Sequence, residues 1–257
     1  MLFGVCGGGP ERGRVAAKLG FDYVEWSVPE LLQPRESDEA FRKALEACRS
    51  TGLPCPALNC FVPGDLKITG PAVDLKALET YVRIVMQRAA EAKVEVIVFG
   101  SGGARNIPEG FDRKQAHDQL VAFGAMTAPI AFDFGVTVVV EPLNRSECNV
   151  INSVEEGATL VRAVAHPGLR LLADGYHVLK DGESLDGIEA NGDLLAHTHV
   201  ATIPNRRAPG VEPCELKPFF AALKRAGYDV HMSIEGAIDD GGDDLHTGLA
   251  TLHKLAS

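Results

Sequence analysis

The sequence predicts an α/β protein, a single closed (β/α)8 TIM barrel, on three observations. Short apolar runs alternate with amphipathic helical stretches along the whole chain. Eight such pairs fit into 257 residues, about 30 residues apiece, which is what a strand–helix–strand unit takes. Several runs are apolar almost throughout, as strands are when both faces of a parallel sheet are covered. Strict alternation at this length favours a closed barrel of about 250 residues. An open doubly wound sheet would carry G-x-G-x-x-G after its first strand, and Gly7-Gly8-Gly9-Pro10 does not match. With no composition break, linker or low-complexity tract, residues 1–257 are expected to form one domain.

The elements follow in order. Leu2-Phe3-Gly4-Val5-Cys6 is the first strand, and Pro10 in the next turn suits helix initiation before a helical stretch through Val15 and Leu19. Asp22-Tyr23-Val24-Glu25-Trp26 is the second strand. Ser37, followed by Asp38 and Glu39, reads as an N-cap with an acidic first turn, and Gly52 ends that helix. Pro56 to Phe61 forms the third strand. A long helix from Leu75 to Ala92 precedes the fourth, Val94 to Phe99. A helix from about Arg113 to Phe134 leads into the fifth strand, Val136 to Glu141. Ser153-Val154-Glu155-Glu156 opens the next helix, and Leu169 to Asp174 is the sixth strand. Leu194 to His199 is the seventh, the helix Glu215 to Ala226 follows, Val230 to Glu235 is the eighth, and a last helix runs from about Asp244 to Leu255.

Charge and composition narrow the function classes. Twenty-five Lys and Arg stand against 35 Asp and Glu, a formal net charge of −10. That field repels phosphate backbones and anionic lipid, so neither nucleic acid nor a membrane surface is an expected partner. No apolar run reaches the roughly 18 residues of a membrane span, and the first residues lack the charged region of a secretion signal. The six cysteines are scattered, with no C-x-x-C pair, and read as free thiols in a reducing cytoplasm.

Barrel active sites lie at the C-terminal ends of the strands. The last four strands end in Glu141, Asp174, His199 and Glu235, each about one strand–helix unit after the one before. Strand ends converge on the barrel axis, so three carboxylates and one imidazole are expected to meet. Packed carboxylates repel one another, and a divalent cation is the simplest neutraliser. Three oxygens and a nitrogen suit manganese, magnesium or cobalt better than a thiolate-bound structural zinc. Any one of these residues alone could be a helix cap or an ion-pair partner; four at consecutive strand ends are what point to a metal centre. His197, two residues before His199, faces the same way one layer deeper and reads as a buried partner of the site. The Gly-rich turn Gly100 to Arg105 could receive a phosphate or carboxylate on Arg105. Trp26 and Phe61 could wall the pocket or belong to the core.

Three segments, Glu141-Pro142-Leu143-Asn144-Arg145-Ser146-Glu147-Cys148-Asn149, Asp174-Gly175-Tyr176-His177, and His197-Thr198-His199 with Asn205-Arg206-Arg207-Ala208-Pro209-Gly210, resemble the sugar isomerase/epimerase superfamily. That group has the xylose-isomerase-like barrel and includes ketose 3-epimerases and hydroxypyruvate isomerases. The resemblance is specific from Glu141 to Glu235 and loose in the first hundred residues. It implies that Glu141, Asp174, His199 and Glu235 hold a divalent metal, usually manganese, with magnesium, cobalt or zinc as alternatives. It implies that Glu141 and Glu235 double as the catalytic proton-transferring pair, and that Glu147, His177 and Arg206 hold the oxygens of a small sugar or hydroxy-carbonyl substrate.

The residue types suit that chemistry. Removing a proton beside a carbonyl creates an enediolate, whose charge a chelated metal stabilises. Carboxylates on opposite faces of the carbon can then invert it, one removing and the other delivering. The expected activity is therefore a metal-dependent epimerase or isomerase. Hydroxypyruvate isomerase and an inosose-type dehydratase are alternatives; the former branch tends to carry Gln where this chain has His199. An abasic-site endonuclease, which needs more ligands and a basic face, and a non-catalytic barrel are the less favoured readings. Homo-oligomer formation is left open.

Overall fold

The computed structural model describes residues 1–239 and 242–257. Eight parallel strands close into one barrel in chain order, β1 (Leu2–Cys6), β2 (Tyr23–Ser27), β3 (Ala57–Asn59), β4 (Val96–Phe99), β5 (Thr137–Val140), β6 (Leu169–Asp174), β7 (Leu195–Val200) and β8 (His231–Ile234), with β8 pairing back onto β1. The predicted fold class is thus the observed one. The long helices sit where the apolar periodicity placed them: α1 (Gly9–Leu19), α3 (Asp38–Arg49), α4 (Leu75–Ala92), α6 (Arg113–Asp133), α7 (Val154–Val164), α10 (Lys217–Arg225) and α11 (Asp243–Ala256). Their starts are chemically explicit. Ser37, Asp74, Asp112 and Ser153 each accept a backbone N–H of the first turn of α3, α4, α6 and α7.

Seven long helices are legible in the sequence, with none between Asp174 and Leu194, and the described residues carry further ones. The additions are α2 (Val28–Leu31), α5 (Gly102–Arg105), α8 (Gly175–Asp181), α9 (Asp186–Ala190) and a 3-10 turn at Gly192–Leu194. These pieces are too short to show a periodic apolar face. They are set instead by local caps: Ser27 and Glu30 form a capping box on α2, and Asp174 accepts from Tyr176 N to start α8.

Two apolar layers hold the fold. One large cluster packs the outer faces of the strands against the helices, with Phe61, Phe99 and Phe123 in mutual ring contact. Trp26 and Phe61 both belong to it, so they serve the core rather than the pocket wall. A second, smaller cluster of Ala57, Val96, Val98, Val139 and Leu172 fills the barrel interior. All six cysteines are free of disulfides. No helix among the described residues is long and apolar enough to cross a membrane.

One irregularity matters for the site. β6 and β7 pair Leu171 with Leu195, then shift register by one so that Leu172 faces His197 and Asp174 faces His199. A one-residue slip moves side chains to the opposite face of a sheet. Without this bulge Asp174 would lie opposite Thr198; with it, the carboxylate and the imidazole share one layer.

Glu183 yields a stability prediction. Its Oε1 accepts the N–H of Val154, the first residue of α7, at 2.8 Å. Burial, with help from Glu156 and against that N–H, pushes its carboxyl up to about 7. The folded chain thus keeps a proton that the unfolded chain releases near pH 4.5. Stability falls as pH rises from the ordinary glutamate range to about 7, and is level above. Glu183→Gln keeps the acceptor and never ionises. Melts between pH 4 and 8 should show it up to about 1–2 kcal/mol more stable than the parent above pH 7, a figure discounted for partial exposure, and equal at pH 4. Equal pH profiles for the two proteins would refute it.

Candidate active site

The C-terminal mouth of the barrel gathers all four strand-end residues. Ligating atoms of Glu141, Asp174, Glu235 and also His177 lie within 4.8 Å of one another. His199 enters from below: its Nδ1 stands 3.1 Å from Glu141 Oε1 and 3.7 Å from Glu235 Oε2. Glu141 and Glu235 lie just past the ends of β5 and β8, Asp174 closes β6, and His199 is the penultimate residue of β7. Each follows a buried strand, so backbone pairing fixes where its side chain starts.

The predicted substrate-holding residues lie above, Glu147 and Arg206 on connecting segments and His177 in α8. The Arg206 guanidinium pairs with Glu235 Oε2, stands 3.6 Å from Glu147 Oε1 and 3.9 Å from Asp174 Oδ2, and lies 4.6 Å over the Tyr176 ring. His177 is fixed by Asn144, whose backbone N–H and side-chain amide both reach its Nδ1, at 3.2 and 2.7 Å. A backbone N–H can only donate, so Nδ1 is the acceptor and Nε2 carries the ring proton. His177 therefore presents an N–H donor to the cleft, 3.4 Å from Asp174 Oδ2. Asn144 also donates to Glu147 Oε1 at 2.8 Å, tying the two loop residues together.

Burial and mutual repulsion split the carboxyl groups. Burial, reinforced by Glu141 and Asp174 and opposed by His199 and Arg206, pushes Glu235 up to about 7. Burial also acts to raise Glu141, but its hydrogen bond to His199 and the nearby cations bring it below the ordinary value. His199 is pressed down by burial, yet Glu25, Glu235 and Glu141 together hold it well above the usual histidine range.

The residues present fit a divalent ion. Asp174 commits Oδ1 to the cap of α8, and its buried Oδ2 has no hydrogen-bond partner. Such an oxygen is costly to desolvate; His177 Nε2 at 3.4 Å and the Arg206 guanidinium at 3.9 Å stand beside it without a hydrogen bond, which leaves it free to face a further cation. Three carboxylates and an imidazole nitrogen, once His199 yields its Nδ1 proton, form a hard to intermediate donor set.

Some site residues had escaped the sequence reading. Glu25 on β2 is fully buried and receives His197 Nε2 at 2.8 Å, His199 Nε2 at 2.9 Å and the Ser233 hydroxyl at 2.5 Å. His197 is indeed the deeper partner that its spacing suggested. Asn59 donates from Nδ2 to Glu235 Oε1 at 3.0 Å. The signal for Glu25 was present, a carboxylate in an otherwise apolar strand. It sits in mid-strand, away from the strand ends at which barrel active-site residues are expected.

Arg105 departs from expectation. It is fully buried, and its guanidinium donates to the carbonyls of Phe99 at 2.9 Å, Glu141 at 2.7 Å and Ile151 at 3.5 Å while lying over the Phe99 ring. The Gly-rich turn offers it to no anion.

Comparison with known proteins agrees with this geometry. The xylose isomerase-like TIM barrel family matches residues 14–255. A D-psicose 3-epimerase from Ruminiclostridium cellulolyticum is 26% identical over 234 residues, covering 88% of this chain and 77% of that protein. A 3-dehydro-D-guloside 4-epimerase from Escherichia coli K12 is 25% identical over 240 residues, covering 89% and 87%. Among solved structures, a D-psicose 3-epimerase with D-tagatose from Clostridium cellulolyticum H10 superposes with a TM-score of 0.79 at 21% identity, covering 100% of this chain and 96% of that one.

Proposed function

The chain belongs to the xylose isomerase-like TIM barrel family, and from that premise we propose that it is a divalent-metal-dependent epimerase or isomerase of a small ketose or related hydroxy-carbonyl compound. The similar proteins being named as sugar epimerases supports the reaction class. The observation that carries the reading is the convergence of Glu141, Asp174, Glu235 and His199 on one spot around a buried carboxylate oxygen that accepts no hydrogen bond. In this reading those four residues hold the ion, manganese by choice. When bound, the ion supplies Lewis-acid stabilisation of negative charge developing on the substrate's oxygens.

The protein's own groups do the rest. Glu141 and Glu235 are the catalytic pair, one carboxylate taking a proton from the substrate carbon while the other delivers one. His177 Nε2–H donates to a substrate oxygen, Glu147 accepts from a hydroxyl, and the Arg206 guanidinium, always charged, holds an oxygen without competing as a base. Tyr176 supports Arg206 from below. We place the protein in the cytoplasm, acting on a small molecule and not on nucleic acid. The net charge of −10 and the unpaired thiols support that placement.

The test is solvent-deuterium uptake into a panel of free and phosphorylated ketoses with the Mn²⁺-loaded protein, alongside metal analysis. Stoichiometric Mn²⁺ and exchange at one substrate carbon are expected. No bound divalent ion together with no exchange would overturn the reading.

Arg206→Ala separates binding from metal retention. Losing hydrogen bonds from a charged donor should raise KM about tenfold to a hundredfold. The Mn²⁺ affinity should stay level or tighten, because a competing cation leaves Glu235. A tenfold weaker Mn²⁺ affinity in the titration would place Arg206 with the metal instead.

A further inference from the structure

We propose that Glu25 is a positioning residue that sets the orientation and tautomer of His199 for the metal, with His197, Ser233 and Tyr23 as its fixed support. The inference rests on the metal centre proposed above and deepens it. Glu25 is 0% exposed, on a strand on the far side of the barrel from the residues that would hold the ion. A buried carboxylate needs several donors to persist as an ion. Glu25 has them: His199 Nε2 on Oε1 at 2.9 Å, and His197 Nε2 at 2.8 Å with Ser233 Oγ at 2.5 Å on Oε2. Tyr23 OH and Ser233 Oγ are 2.8 Å apart; because Ser233 gives its proton to Glu25, Tyr23 donates to Ser233.

The consequence for His199 is geometric. Its Nε2–H is committed to Glu25, so the proton cannot sit on Nδ1 of the neutral ring. In this structure Nδ1–H donates to Glu141 Oε1 at 3.1 Å; once that proton is released, the Nδ1 lone pair faces the gap between Glu141 Oε1 and Glu235 Oε2. A carboxylate behind a ligating imidazole fixes its plane and raises its basicity. His197 and Ser233 lock the second oxygen, so Glu25 cannot rotate away. The sheet register sets the stage: Glu25 pairs with Cys6 on β1, and His199 pairs with Ser233 on β8. Cys6, Glu25 and His199 also come within 4.8 Å of one another. Glu25's three accepted donors mark it as a hydrogen-bond hub rather than a ligand of a second ion.

The test uses the full chain. Competition against a chelating dye gives the Mn²⁺ dissociation constant, and the Co²⁺-loaded protein gives a visible ligand-field band. In Glu25→Gln, which keeps volume but loses charge and one acceptor, the Mn²⁺ affinity should fall about tenfold to a hundredfold and the cobalt band should shift. Glu25→Asp, which keeps both acceptor oxygens, should recover part of that loss. A folded Glu25→Gln with unchanged affinity and an unchanged band would overturn the proposal. So would two ions per wild-type chain, one of them lost in Glu25→Gln, since Glu25 would then be a ligand itself. If Glu25→Gln does not fold, Ser233→Ala removes one support and leaves the carboxylate. It should weaken Mn²⁺ several-fold, and unchanged binding would again overturn the proposal. A wild-type protein that takes up no divalent ion defeats the metal centre itself. A wild type that binds one ion, with Glu25→Gln indistinguishable from it, defeats only the positioning role.

Discussion

Glu235→Gln is expected to lower kcat by about a thousandfold or more, while the protein melts within a few degrees of the parent at pH 7. Two losses combine. Glutamine cannot carry the proton that one member of the pair must deliver, and a positioned acid or base contributes about a hundredfold to ten-thousandfold. Glutamine is also a weaker ligand than a carboxylate. The fold is spared for a reason visible in the site. Burial and two neighbouring carboxylates already push Glu235 up to about 7, so the folded chain accommodates its neutral form at neutral pH. Asn59 can still donate to the amide oxygen, and the lost charge partner is Arg206, which retains Glu147 at 3.6 Å. Turnover, solvent-deuterium exchange and a thermal melt on the same preparation check this. Near-normal exchange at the substrate carbon would count decisively against a two-carboxylate scheme.

Gly4→Ala should destabilise the barrel by about 3 kcal/mol or more, at the upper end for overpacking a core. Gly4 pairs with Tyr23 in the β1–β2 register, and a Cβ placed on it would sit 2.2 Å from the Tyr23 ring. The ring has little room to yield, because Tyr23 is buried and its hydroxyl lies 2.8 Å from Ser233 Oγ. Displacing it would also disturb the Ser233–Glu25 contact, so Mn²⁺ affinity should weaken together with stability. For a chain of this size the melting temperature should drop by about 6–12 °C. A loss below about 0.5 kcal/mol in chemical denaturation would mean that the barrel floor repacks freely.

The barrel was readable because its strands are buried on both faces and so appear as unbroken apolar runs, while Ser and Asp caps mark where the helices begin. The one-turn helices and the β6 bulge were not readable. They depend on local capping and on a register shift that leaves no periodic trace. Glu141, Asp174, His199 and Glu235 could be found because polar residues ending apolar strands are conspicuous. Glu147, His177 and Arg206 lie in connections whose course no spacing rule dictates, and only a resemblance brought them forward. Glu25 and Asn59 sit on strands that the search for end residues passed over. Arg105 was misjudged because a Gly-rich turn suggests accessibility, whereas its guanidinium finds better partners among the buried carbonyls.

That arginine has a wider meaning. By clasping the carbonyls of Phe99, Glu141 and Ile151, it rivets three separate stretches of backbone beneath the floor of the cleft. The segment from which Glu141 projects is thereby stiffened before any substrate arrives. Its ordering entropy is lost during folding rather than at capture. The incoming molecule should meet a mould already set around Glu141, with adjustment left to Arg206, whose side chain remains partly open to solvent.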